Sequence, residues 1–132
     1  MATTNFQKAE INKQYFRSGT SAKPTVWAVA LHSAAPGADG TANELSGGDY
    51  ARVDLPPSDS NWGAISSGTF SNLAEIEFAE ATVDWASVTH FSIWDATTGG
   101  HARYTGPLNA SKSVSTGQTA KFAVGAVTVT LT

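Results

Sequence analysis

Between Thr82 and Leu108 the chain reads T-V-D-W-A-S-V-T-H-F-S-I-W-D-A-T-T-G-G-H-A-R-Y-T-G-P-L, and this stretch limits the possible folds more than any other. Thr89 to Ala96 alternates its side chains around Phe91 and Ile93, Thr97-Thr98-Gly99-Gly100 is a turn sequence, and His101 to Thr105 returns. The pattern is that of an antiparallel β-hairpin.

Other segments repeat the period of two. Thr25 to Ser33 puts Trp27, Val29 and Leu31 on one face with smaller residues between them, as expected of a central strand. Tyr50 to Leu55 alternates and is stopped by Pro56-Pro57, because proline cannot donate to a ladder. Ser71 to Phe78 sets Ala74, Ile76 and Phe78 against Glu75 and Glu77, a half-buried strand with an acidic outer face. Thr119 to Val124 and Val127 to Thr132 complete the set. Near the start, Thr4-x-x-Gln7 resembles a capping box, and residues 5 to 17 are expected to form a short helix ending before Gly19. Its aromatic residues Phe6, Tyr15 and Phe16 are expected to pack on the parent domain, the alternative being that they anchor a neighbouring subunit. Ala34 to Asp49 and Pro56 to Ser67 are rich in turn formers and lack periodicity, so both read as surface loops. The expectation is a mainly β single domain over residues 1–132, with an N-terminal helical arm (1–23) and an antiparallel β-sandwich or open barrel of about seven strands (24–132).

Composition narrows the partners. Only 14% of residues are charged and the net charge is −3, without a basic run, so a nucleic-acid partner is not expected. A surface so poor in charge suits extensive protein contacts, since little charge must be desolvated when an interface forms. Cysteine is absent, which removes disulfides and thiolate metal sites. No segment has the apolar length of a signal peptide core or a membrane-spanning helix, so assembly in the cytoplasm without membrane insertion is expected.

Candidate chemistry is sparse. His32, His90 and His101 with Asp95 or Asp49 match no metal-ligand spacing, and a structural role for the histidines is preferred on the expectation that they sit several strands apart. Glu75, Glu77, Glu80 and Asp84 read as a solvated face, although two of them would reach the about 5–9 Å separation used in glycoside hydrolysis. Asp39, Glu44 and Asp49 lack an EF-hand pattern. No Gly-x-Ser-x-Gly elbow, cysteine nucleophile or phosphate loop is present. No enzyme activity, cofactor or metal is expected. Of the tryptophans, Trp27 and Trp85 read as core, whereas Trp62 and Trp94 are expected to be contact residues, the alternative being that the opposite sheet of a thin two-layer domain covers them. With Phe6, Tyr15 and Phe16 of the arm and Asn43 and Glu44 of the long loop, they make up the candidate interface.

The motif D-W-x-x-V-T-H-F-x-I-x-D-A-x-T-G-G followed by Y-x-G-x-L resembles small proteins of tailed-bacteriophage structural gene clusters, described as tail-fibre-like or virion-associated. The similarity continues through Phe16-Arg17, Val29-Ala30-Leu31-His32, the segment G-T-A-N-E-L-S-G-G-D-Y-A-R at Gly40 to Arg52, and K-F-A-V-G-A-V-T-V-T-L at Lys121 to Leu131. The resemblance implies a β-rich virion protein on the particle exterior. A short domain with a low-charge surface and no fibre-shaft repeat favours a capsid decoration (cement) protein bound to the major capsid protein; the alternative is a tail-fibre or carbohydrate- or receptor-binding module of the tail. A trimer is expected from the low charge and from the symmetry that the resemblance implies for phage exterior proteins. If the histidines are structural, a chelator will leave the melting temperature unchanged, and a large downward shift would overturn that reading.

Overall fold

The computed structural model describes residues 2–131; Thr132, expected at the end of the last strand, lies outside them. The hairpin is its spine, made of β6 (Trp85–Trp94) and β7 (Ala102–Val114). Its turn closes because Asp95 N donates to His101 O at 3.1 Å while the Asp95 carboxylate accepts from His101 N at 2.7 Å, with Gly99 and Gly100 at positive φ. The returning strand runs on to Val114 instead of stopping at Thr105, and slips of register at three points along the pair bend it.

Three more strands extend the hairpin into a five-stranded antiparallel sheet of order β1-β7-β6-β2-β3, where β1 is Ala2–Thr3, β2 Ala28–His32 and β3 Val53–Asp54. A second layer consists of two small antiparallel pairs, β4 (Thr69–Ser71) with β9 (Thr128–Thr130) and β5 (Ile76–Glu77) with β8 (Lys121–Phe122). The core lies between the layers, where Val29, Leu31, Phe91 and Ile93 meet Ile76, Phe78, Val127 and Val129. Phe122 stands edge-on to both Phe78 and Phe91, with ring centroids 6.3 and 6.0 Å away. Each such buried side chain contributes about 1.5–3 kcal/mol. The mainly β, sandwich-like expectation holds, with nine strands among the described residues, all short except β6 and β7.

The Ser71–Phe78 segment is where the expected strand breaks. Its alternation survives, with Ile76 and Phe78 inward and Glu75 and Glu77 outward beside Lys121, but the chain changes partner at Asn72. That side chain is fully buried: its oxygen accepts from Val127 N at 2.9 Å, and its amide donates to Ala74 O at 2.9 Å and Ala123 O at 3.0 Å. Three backbone groups left without ladder partners are thereby satisfied.

The opposite face of the large sheet is also covered. All five residues of β2 are buried, and Ala28 and Ala30 pack with Trp94 and Ala102. The Ala34–Asp49 loop lies over this small-residue surface. Gly40, at φ 75°, comes so close that a Cβ there would stand 2.6 Å from the Ala102 Cβ and 3.0 Å from the Thr4 methyl.

The single helix among the described residues, α1 (Asn5–Phe16), starts as expected, with the Thr4 hydroxyl accepting from Gln7 N at 3.3 Å. The reciprocal half of the capping box is absent, because the Gln7 side chain turns to Arg103 and Tyr104 instead. Substituting Asn72→Ala is expected to destabilise the fold by about 3 kcal/mol by orphaning buried backbone groups, measured as a shift in the urea midpoint.

Candidate functional site

Loop and hairpin meet in a polar cluster on the outer face of the sheet. His32 and His90 are register partners on adjacent strands, not several strands apart, because β2 pairs directly with β6. His32 Nδ1 lies 2.7 Å from Ala42 O, which can only accept, so Nδ1 carries the proton. Nε2 must then accept from the Ser92 hydroxyl at 2.6 Å, and that hydroxyl oxygen accepts in turn from Trp94 Nε1 at 2.7 Å. The serine–histidine contact has the spacing of an activated nucleophile, but both residues are fully buried and the contact is structural. His90 makes a local bond with the Thr89 hydroxyl.

Arg52 fastens the same region from above. It grips Glu44 through two bonds of 2.8 and 2.9 Å, donates to Gly99 O at 2.8 Å, and its guanidinium lies 3.6 Å from the Trp94 ring centroid. Burial works to raise the Glu44 pKa, but the Arg52 bonds and charge outweigh it and hold the carboxyl below its usual range. Burial pushes the Tyr50 phenol well up, so it remains a donor to Glu44 at 3.1 Å. Trp94 is therefore not the exposed contact that its alternation suggested: it is 5% exposed, capped by Arg52 and bonded to Ser92. Asn43 is exposed at φ 62° and shapes the loop, donating to Ala35 O at 3.0 Å. Glu44 acts as a fastener. Asp39, the other engaged loop carboxylate, accepts from Asn5, and among the described residues no cluster of three or more ligating side chains is placed to hold a metal.

At α1 only the first turn is held. Phe6 stacks on His101 with centroids 3.7 Å apart, and Arg103 lies over its other neighbourhood while bonding Asp95 at 2.8 Å and Gln7 at 2.8 Å. Beyond it, no helical residue is buried, and Tyr15 and Phe16 are 75% and 79% exposed. The expectation that these two rings pack on the parent domain is overturned, since the sheet edge supplies partners only for the first turn. The far end is instead tied to the following chain, where Ser21 N donates to the Gln14 side chain at 2.7 Å. Among the described residues no helix is long and apolar enough to cross a membrane.

Trp62 is half-buried, fixed by a 2.9 Å bond from Nε1 to Leu55 O and edge-on to Phe70 at 6.2 Å. It opens onto a cleft of ≈ 370 Å³ shared with Trp27 and Tyr104. Trp27, expected in the core, is half-buried and packs against the core from just before β2. The structure thus gathers Phe6, Tyr15 and Phe16 on α1, joins Glu44 to Trp94 through Arg52, and leaves Trp62 in a separate cleft. The involvement of Arg52 and Arg103 was missed by sequence reasoning. The one available signal was their place among apolar alternating neighbours, where a charge must be paired.

Burial lowers the His32 pKa. The folded state thus binds fewer protons than the unfolded chain, whose histidine titrates near about 6.5, so stability held above that pH is lost as pH falls through the lower folded value. The melting temperature is expected to drop between about pH 7.5 and about pH 5, with a shallower slope in His32→Gln.

No curated protein matches the chain. A family model described as podophage GP4 fiber I protein gp80 matches residues 2–130, nearly the whole of the chain. Because that match spans nearly the whole chain, the chain belongs to this family of bacteriophage fibre-type structural proteins.

Proposed function

We propose that the protein is a tail-fibre component of a tailed phage, joined to a neighbouring virion protein by the aromatic end of α1 and assembled as a trimer in the host cytoplasm. The observation that carries this reading is the helix itself. It is anchored at one turn, has no buried residue and presents Tyr15 and Phe16 almost fully to solvent. Large aromatic rings held in a fixed direction and left uncovered are the usual energetic centre of a protein interface. The family match, to a fibre protein, favours the tail over the capsid-decoration placement expected from domain size and charge. A structural role without catalysis accords with the sealed Ser92–His32 contact and with the pairing of Glu75 and Glu77 to Lys121 on an exposed face.

The double variant Tyr15→Ser/Phe16→Ser is expected to melt like the parent protein but to be absent from purified particles. Incorporation at parental levels would refute the α1 attachment. Labelling the protein on intact particles should mark tails, and label confined to heads would restore the decoration reading. Light scattering of the purified chain is expected to return the mass of three 13.7 kDa subunits, and a monomer at working concentration would remove the trimer.

A further inference from the structure

Away from the α1 tip, Trp27, Trp62, Phe70 and Tyr104 converge on the open cleft of ≈ 370 Å³, with exposed Lys23 and Asp59 beside them. The rings are set in place by the protein. Trp62 is fixed through Leu55 O and Phe70, while Tyr104 OH accepts from the Gln7 amide at 3.3 Å and its ring stands 6.4 Å from Trp27. Little side-chain freedom remains to be lost when a ligand arrives. A second cleft of ≈ 290 Å³ shares Lys23, Trp27 and Tyr104 with the first and continues beside α1 to Glu10 and Gln14. The two make one elongated groove, aromatic at one end and lined by amide and carboxylate groups at the other.

We infer that this groove binds a carbohydrate of two or more pyranose units. A pyranose ring has an apolar C–H face and a girdle of hydroxyls, each able to donate and to accept. Trp27, Trp62 and Tyr104 offer flat surfaces for the first, and their rings are amphipathic in the same sense. Asp59 accepts, Lys23 donates, and the Gln14 amide retains donors after its oxygen has accepted from Ser21 N. A few polar groups around an aromatic floor are the composition of a small-ligand site, and ≈ 370 Å³ lies at the small end of the roughly 300–1,000 Å³ range of such sites. A phosphorylated ligand fits poorly, because Arg103 is already committed to Asp95 and Gln7, leaving Lys23 against the carboxylates of Asp59 and Glu10. A lipid chain would strand those same polar groups. Tyr15 borders the second cleft, so the groove adjoins the assembly surface of α1, but its aromatic floor of Trp27, Trp62 and Tyr104 uses neither Phe16 nor the trimer.

The test is titration of the purified full chain with a panel of mono- and oligosaccharides of hexoses, 6-deoxyhexoses and N-acetylhexosamines, read by tryptophan fluorescence and saturation-transfer NMR. Saturable binding of at least one oligosaccharide is expected, tighter than that of its monosaccharide. Asp59→Asn and Lys23→Ala, at exposed positions, should each weaken it about tenfold without changing the melting temperature, the loss of one charged hydrogen bond. Trp62→Phe, which keeps an aromatic ring but loses the bond to Leu55 O, should weaken it further. No saturable signal across the panel, binding unaltered in all three variants, or binding in the groove of an extended peptide in place of any sugar would each overturn the inference.

Discussion

β2 is hydrogen-bonded on both edges and buried on both faces, and most of the molecule can be understood as the cover that this requires. A strand in that position exposes no surface to water, so two separate parts of a short chain must be laid over it. The inner face, with Val29 and Leu31, is covered by the two small strand pairs. The outer face carries Ala28 and Ala30, and only a thin cover fits: a loop whose Gly40 comes into contact with Ala102.

A loop rich in glycine and small polar residues cannot hold itself down by hydrophobic burial. It is held by a few charged and polar contacts in a poorly hydrated place, where each is worth more than at the surface. Arg52 ties Glu44 of the loop to the carbonyl of Gly99 in the hairpin turn while covering Trp94, and His32 bridges the Ala42 carbonyl to Ser92. Arg103 performs the same task for α1, joining Gln7 to Asp95. In a chain with eight basic residues, two of them are spent internally, and the outer surface is correspondingly more neutral than the composition suggests. Such a surface lowers the desolvation cost of packing against other virion proteins.

The same economy of contacts separates the rigid scaffold from the parts left over for recognition. Every fastening of α1 to the sheet is made by Thr4, Phe6 and Gln7, so the helix axis is set while its far end stays uncovered. The aromatic groove opens between the layers, with Trp27, Ile93 and Tyr104 on the side of the large sheet and Phe70 and Val129 on the side of the β4–β9 pair.

The hairpin turn, the capped start of α1, the inward set Val29, Leu31, Ile76 and Phe78, and the loop at residues 34–49 were all legible in the residues. Each depends on the period of a strand, a cap or a turn, and these interactions lie within a few positions along the chain. Trp94 and Tyr15 were misread for the complementary reason. Whether a ring is covered depends on what the fold brings to it, and Arg52 covers Trp94 from far along the chain, while Tyr15 is left mostly exposed. Likewise Asn72 looked like one more strand residue until the fold set it against Val127 and Ala123. The sequence alone determined the alternating β elements, the turn and the helix start, because local backbone sterics and periodicity specify them. Only the tertiary structure decided which faces were sealed and which aromatic rings remained for partners, because burial is set by groups distant along the chain.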